Sequence, residues 1–554
     1  MKNRYEIDWD AYARTARKAA AEGAVLLRNE KNALPLKEGG KLAVFGRIQF
    51  DYYKSGTGSG GLINTKYVVG ILDALKEEKL ELNQELEQTY REWMKEHPFD
   101  RGQGWAQEPW SQEEMPLDAE FVGKIAKESD VALIIIGRTA GEDRDARGEK
   151  GSFYLSEGEE KMMEQVCAAF EQVIVALNVG SIIDMKWVET YRPQAVLYIW
   201  QGGMEGGHAA ADILMGRISP CGKLADTIAR SEEDYPAAAN FGGEEGDRYP
   251  EDIYVGYRYF ETFEEAKAKV QYPFGFGLSY TSFEVSSDME SAENSCIFRV
   301  RVKNTGDFAG KEVIQVYAEA PQGKIGKPSR SLTAFGKTKC LKPGEEQELR
   351  LEVKKESLAS YDDSGVTGNK SCYVLEAGRY QFYVGTDVRS AEPAGFMELE
   401  TSEVTQRCTE ALAPVEEFER MKPEQTEEGK LRIVWEKAPL RTRSMMEKYQ
   451  EEAKPDVPCT GDKGYKLADV YDKKISMEEF IGQLSDGELC CIVRGEGMCS
   501  PKVTPGTASA FGGVTKALED YGIPCGCCAD GPSGIRMDCG TYAFCLTNGT
   551  FLAC

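Results

Sequence analysis

The chain has 554 residues, 41% hydrophobic and 10% aromatic, which is too apolar for a disordered polymer and too long for a single core. Lys and Arg number 67 against 92 Asp and Glu, a formal charge of −25 that disfavours nucleic acid as a partner and otherwise reads as a solubility feature. No apolar run approaches the roughly 20 residues of a membrane span.

The first part alternates between helical and strand patterns. Ala11–Asn29 predicts a helix that grades into the apolar run Ala24–Leu27, and Lys41–Phe45 predicts a strand ending at Gly46. Tyr67–Leu75 is apolar at helical spacing, and Val131–Ile136 is a continuous apolar run of the kind covered on both faces of a sheet. Glu157–Phe170 predicts a helix with Met162, Met163, Val166 and Phe170 on one side. Then come a strand at Val173–Leu177, a short helix at Ile182–Val188, a strand at Ala195–Trp200 and a helix at Gly206–Leu214. Such alternation predicts a mostly parallel sheet in an α/β sandwich.

From about Phe283 to Val384 the period changes to two. Ile297–Val302, Val313–Ala318 and Glu346–Val353 alternate, with turns at Asn304-Thr305-Gly306 and Lys342-Pro343-Gly344 and a last strand at Arg379–Val384. Short strands with turn signals over roughly 100 residues predict an immunoglobulin-like sandwich. Residues 391–463 are charge-rich and predict a connecting segment with one helix near Met445–Glu452. Ile475–Val493 predicts a single helix opened by a capping box, Ser476 with Glu479. The 16 cysteines, ten of them between Cys459 and Cys554, lack paired metal spacing. With no apolar segment behind Met1-Lys2-Asn3-Arg4, they read as reduced thiols in a cytoplasmic protein.

Three segments could carry chemistry. In Lys54–Gly61, Gly56, Gly58 and Gly61 satisfy a bare G-x-G-x-x-G pattern, but the preceding strand ends at Gly46 and no Walker lysine closes the loop. A flexible loop at a sheet edge outweighs nucleotide binding. A third reading lets the backbone approach a polyhydroxy ligand with Ser59 donating. Gly137–Asp145 follows the buried strand Val131–Ile136 directly, where open α/β sheets bind ligands. Glu142 among Arg138, Arg144 and Asp145 is a candidate acid/base, set against a self-paired surface loop. Asp530-Gly531-Pro532, with Arg536 six residues on, ends a strand-like run and is either functional or a turn cap.

Together these segments resemble glycoside hydrolase family 3, in its β-glucosidase-like branch. Glu22–Asn29 with Leu34-Pro35-Leu36 looks like the opening of the family's α/β sandwich, and Lys54–Gly61 like its glycine-rich substrate loop. Gly141-Glu142, then Asp145, Lys150-Gly151 and Tyr154-Leu155, resembles its acid/base loop, although Asp143 and Arg144 stand where Gly and a variable residue are usual. Asp252–Tyr259 and Tyr272–Tyr280 look like the link into a fibronectin-III-like domain, which Lys342–Glu345 fits. Asp530–Arg536 resembles the sugar-binding strand of the catalytic barrel.

The resemblance implies a multidomain α/β and β architecture in permuted order. An α/β sandwich (1–240) and a junction (241–282) come first, then a fibronectin-III-like β-sandwich (283–395), a linker (396–466) and the first part of a (β/α)8 barrel (467–554). It implies a retaining glycosidase acting on terminal non-reducing β-D-glucosyl residues, with a β-xylosidase-type specificity or a non-catalytic carbohydrate-binding or scaffolding role as alternatives. Glu142 would be the acid/base, its pKa raised by partial burial and a nearby carboxylate; Asp530, Arg536 and Ser59 would bind substrate. No metal or organic cofactor is implied. The implied partners are β-glucosides or short oligosaccharides, not nucleic acid or membrane, and self-association is left open. The 88 residues from Leu467 compare with about 250 in a complete barrel, and neither the family's Lys-His pair nor its Ser-Asp-Trp nucleophile strand occurs in the sequence. The chain as given is therefore expected to be an inactive fragment.

Overall fold

The computed structural model describes residues 8–536, apart from 59, 60, 143, 244, 245, 455, 499, 504, 505 and 532. Helix α1 (Trp9–Gly23) opens on Asp8, whose carboxylate accepts the Ala11 N–H at 2.9 Å, and buries Ala16, Ala20 and Ala21. The helix ends at Gly23, before the apolar run, because Val25–Asn29 is drawn into a sheet as strand β1.

The six-stranded sheet adds β2 (Lys41–Phe45), β3 (Glu81–Leu82), β4 (Val131–Arg138), β5 (Val173–Val179) and β6 (Ala195–Tyr198) in the order β1-β6-β5-β4-β2-β3. All pairs are parallel except β1 with β6, where Val25 faces Tyr198. Alternation along β4 divides the core between the two faces. Ala132, Ile134 and Ile136 pack with Tyr90, Val122, Met162, Met163 and Trp187 on one side. Leu133 and Ile135 pack with Ala20, Leu72, Ile213 and Leu214 on the other. Both faces are covered, as a buried parallel sheet requires. The chain leaves β2 for the edge at β3, then returns to the opposite side of β2 as β4. The strand order therefore reverses between β2 and β4, which opens a crevice beyond their carboxyl ends.

The expected β-sandwich follows. One sheet joins Glu346–Lys354, Ser295–Asn304 and Phe283–Ser291; the other joins Ser331–Lys337, Val313–Glu319, Gly378–Gly385 and Glu392–Leu399. Phe298, Val300, Val302, Ile314, Val316 and Phe382 fill the space between them. The buried Tyr380 donates its hydroxyl to Glu376 O at 3.0 Å, a corner tether of the kind found in such sandwiches. The two domains are pinned at the end of α1, where Glu22 meets Lys311 at 2.5 Å and Lys337 at 3.6 Å. Beside them an isolated bridge joins Leu26 to Leu278.

Three expectations are corrected. Arg379–Val384 is not the last strand of the sandwich: Glu392–Leu399 pairs with it, its pattern disguised by Pro393, Gly395 and a bulge at Phe382/Tyr383. The 396–466 segment is no bare linker. Glu403–Arg407 pairs with Cys372–Leu375, and Glu419–Gln425 forms a hairpin with Leu431–Lys437 whose Met421 packs on Tyr254, Phe260 and Phe263. The single helix expected over Ile475–Val493 is two, Met477–Gly482 and Asp486–Arg494, because a second capping box, Ser485 with Glu488, restarts it. Among the described residues of the last segment, Glu496–Gly497, Ser509–Gly512 and Cys525–Cys528 pair antiparallel, so these pairings do not confirm the parallel strands of a barrel. No helix among the described residues is long and apolar enough to cross a membrane.

Candidate active site

The crevice beyond β2 and β4 is built from the two loops singled out in the sequence. The loop after β2 is anchored from below by Asn178, fully buried at the end of β5. Its side chain accepts from Tyr53 N at 2.8 Å and donates to Tyr53 O at 3.0 Å and Trp200 O at 2.7 Å. Lys54 O accepts from Gly203 N at 2.9 Å, and the Lys54 ammonium reaches forward to Ile63 O at 2.6 Å. The buried Ser55 hydroxyl donates to Gly61 O at 2.7 Å and closes the glycine-rich turn.

That turn lies against the loop after β4. Thr57 N donates to Ala140 O at 2.7 Å, and Thr57 forms a parallel bridge with Gly141. Close approach of backbone to backbone explains the small residues here. A Cβ on Gly56 would stand 2.0 Å from Ala140 O, and one on Gly58 would stand 2.5 Å from Glu142 Cβ and 2.8 Å from its Oε2. In this structure the glycines admit the neighbouring loop. Ser59 lies outside the described residues.

Each charged residue of the second loop has its own place. Glu142 is exposed, not partly buried as expected: Gly58 lies against its Cβ and Oε2 without covering the side chain. Arg138 is 2% exposed and turns away from it. Its guanidinium makes two 2.6 Å bonds to Glu159 and donates to Ser152 O and Tyr154 O, so it fastens the returning 147–156 segment to the end of β4. Arg144 donates through Nε to Glu108 O at 2.7 Å and lies 5.0 Å from the Trp110 ring centre, while its backbone N–H closes a turn on Gly141 O. Asp145 is exposed at the rim. A 230 Å³ cavity beneath the loop is lined by Trp110, Thr139, Gly141, Arg144 and Ser181 among others.

The loop carrying Trp105, Glu108 and Trp110 was missed at the sequence level. Two tryptophans within six residues outside any periodic element were its one signal. Trp110 O accepts from Thr139 N at 2.8 Å and so braces the Glu142 loop from the far side. Burial raises the Glu108 carboxyl to about 7 against the opposing pull of Arg101 and Arg144, and its Oε1 has no hydrogen-bond partner among the described residues. Trp105 meets the last segment, with the Arg536 guanidinium 5.0 Å from its ring centre.

Asp530 lies two residues past Cys525–Cys528 and is bound by Arg536, 3.1 Å away, across a turn closed by Gly534 N to Gly531 O. The structure therefore joins Asp530 to Arg536, and through Trp105 places this pair against the same loop that braces Glu142. Among the described residues no group of three or more His, Cys, Asp or Glu is placed to hold a metal ion.

Residues 24–280 match the glycosyl hydrolase family 3 C-terminal domain, and residues 312–388 match the fibronectin type III-like domain. A β-glucosidase of Ruminococcus albus is 51% identical over 99% of this chain and 57% of its own length. β-Glucosidase A of Butyrivibrio fibrisolvens is 34% identical over 97% of this chain and 70% of its own length. The crystal structure of a β-glucosidase from Paenibacillus barengoltzii superposes with a TM-score of 0.95 at 51% identity, over all of this chain and 61% of that one. The chain thus spans less than two thirds of the first and last of these relatives. Matched along nearly its whole length, with the domain described as C-terminal standing first, the chain belongs to glycoside hydrolase family 3.

Proposed function

We propose that the protein to which this chain belongs removes terminal non-reducing β-D-glucosyl residues with retention of configuration. The observation that carries this reading is the docking of Lys54–Gly61 onto Gly141-Glu142 at the switch point, through the 2.7 Å bond from Thr57 N to Ala140 O. It sets one carboxylate at the lip of the crevice where an α/β sheet binds its ligand.

A retaining mechanism needs two carboxyl groups about 5–5.5 Å apart. Glu142 takes the acid/base role: it protonates the departing glycosidic oxygen, then accepts a proton from the water that releases the sugar. The nucleophile is assigned to no residue of this chain. Asp530, fixed by Arg536 at 3.1 Å, accepts hydrogen bonds from sugar hydroxyls and orients the ring, with Ser59 as a further donor. Catalysis is thus divided between the 1–240 and 467–554 segments, and it needs neither metal nor organic cofactor. β-Glucosides and short oligosaccharides are the substrates in this reading. Cytoplasmic residence belongs to it as well, supported by described cysteines such as Cys167, Cys221, Cys296 and Cys372 that form no disulfide.

The test uses the uninterrupted protein with two aryl β-glucosides. Glu142→Ala cuts turnover of the poor leaving group by about 10²–10⁴ and that of the activated one far less. Equal losses on both substrates rule out the acid role.

A further inference from the structure

A second cavity, of 660 Å³, opens between the junction residues Asp252–Arg258, the fibronectin-like sandwich and the Glu419–Gln425/Leu431–Lys437 hairpin. It shares no lining residue with the Lys54–Gly61 and Gly141-Glu142 loops, and its volume falls within the range of about 300–1,000 Å³ typical of small-molecule sites.

Its chemistry is specific. Arg420 stands at the centre, held by Asp363 at 2.5 Å, Glu436 at 2.9 Å and Asp252 at 3.0 Å, and Lys422 joins Glu436 at 2.8 Å. The side chains of the three carboxylates keep 30–38% of their surface exposed, so they are oriented in advance yet still able to accept. Tyr361 and Tyr373 form an aromatic wall with ring centres 5.3 Å apart, and Tyr373 is 40% exposed. Arg258, Ser331 and Ser360 also line the cavity, and their side chains make no hydrogen bond or ion pair with other described residues. The Arg258 guanidinium is not among the buried unpartnered groups, so it stays hydrated and keeps its donors available to a ligand.

The charges select the ligand. Asp252, Asp363 and Glu436 are balanced by Arg258, Arg420 and Lys422, and the remaining lining cation, Lys327, is already bonded to Glu376 at 2.5 Å. An anion would meet three carboxylates and a cation three cationic heads. A neutral ligand with many hydroxyls and an apolar ring face matches the mixture of fixed acceptors, free donors and tyrosine rings.

We infer that this cleft is a non-catalytic saccharide-binding site, separate from the candidate active site, which takes a short neutral oligosaccharide. The inference does not depend on the chain's catalytic competence. The experiment titrates cellobiose into the 554-residue chain by calorimetry. Wild type binds, and both Arg258→Leu and Tyr373→Ala raise Kd at least about tenfold. Tyr373 lies outside the hydrophobic core, 40% exposed, so its variant keeps a melting temperature close to wild type and reports binding even if Arg258→Leu fails to fold. Absence of cellobiose binding by the wild-type chain overturns the inference. So does binding that is lost in Glu142→Gln and retained in Tyr373→Ala, which places the sugar in the candidate active site.

Discussion

Gly56→Ala tests whether the two loops must interleave. Gly56 does not adopt a positive φ, so a methyl group there brings no backbone strain of its own. Its Cβ would meet Ala140 O at 2.0 Å and Ala140 C at 3.0 Å, both main-chain atoms that cannot rotate away, so the loops must part by about 1 Å to reach the 3.0 Å limit of real Cβ contacts. Parting by that much stretches the 2.7 Å bond from Thr57 to Ala140 beyond hydrogen-bond range, a loss of about 0.5–1.5 kcal/mol. The remaining overlap costs about 1–3 kcal/mol. Because misplacing a catalytic group by about 1 Å can cost about 10²-fold, kcat/KM of the uninterrupted protein on an aryl β-glucoside falls by that order. In the 554-residue chain, amide hydrogen exchange at Thr57 accelerates while the sheet amides of β4 keep their protection. Gly123→Ala is the control, since a Cβ there meets nothing within 4 Å and sits inside the Ala119–Lys127 helix; it leaves exchange at Thr57 unchanged. Wild-type exchange and wild-type turnover in Gly56→Ala would refute the interlocked-loop account.

Arg138→Met strands the buried Glu159 carboxylate and destabilises the sandwich by about 3–5 kcal/mol in denaturant unfolding, whereas Arg138→Met with Glu159→Leu recovers most of that loss; a double variant as unstable as the single one contradicts the pairing argument. Burial raises both Glu108 and Glu114 from 4.5 to about 7, so the folded chain binds more protons than the unfolded one between these values. Their contribution to stability is complete below pH 4.5 and is lost as the pH rises through 7; Glu108→Gln and Glu114→Gln each flatten the denaturation midpoint across that window, and an unchanged slope would discount the buried carboxyls. The 554-residue chain alone turns over no aryl β-glucoside, since no Ser-Asp-Trp strand occurs in its sequence, and robust turnover refutes the need for that strand.

What the sequence disclosed follows the strength of its local signals. Lys41–Phe45 and Val131–Ile136 were legible because a strand buried on both faces is continuously apolar, and Glu157–Phe170 because its capping residue and helical face agree. Glu392–Leu399 was hidden because Pro393 and Gly395 break its alternation, and sheet pairing overrode that weak local preference. The second box at Ser485 was as visible as the one at Ser476 and was passed over within one apolar run. At the candidate site, the segment positions could be read and their neighbours could not. Nothing in the spacing tells that Arg138 turns inward to Glu159 while Arg144 lies on Trp110, because both contacts join residues on different loops. The exposure of Glu142 is likewise set by which atoms of Gly58 reach it, a property of two backbones meeting.

The antiparallel β1 has a consequence for how the chain assembles. Val25 finds its partner at Tyr198, so the first strand of this sheet in chain order can be seated only when the last, β6, is in place. Until then the exposed flank of β6 and the apolar Leu26 and Leu27 stand open, an unpaired edge of the kind that recruits other chains. A nascent chain halted before residue 195 carries this segment with nothing to receive it, and such long-range closure slows folding. Once seated, β1 acts as a clasp, and the bridge from Leu26 to Leu278 lets the chain leading into the next domain fasten it from the outside.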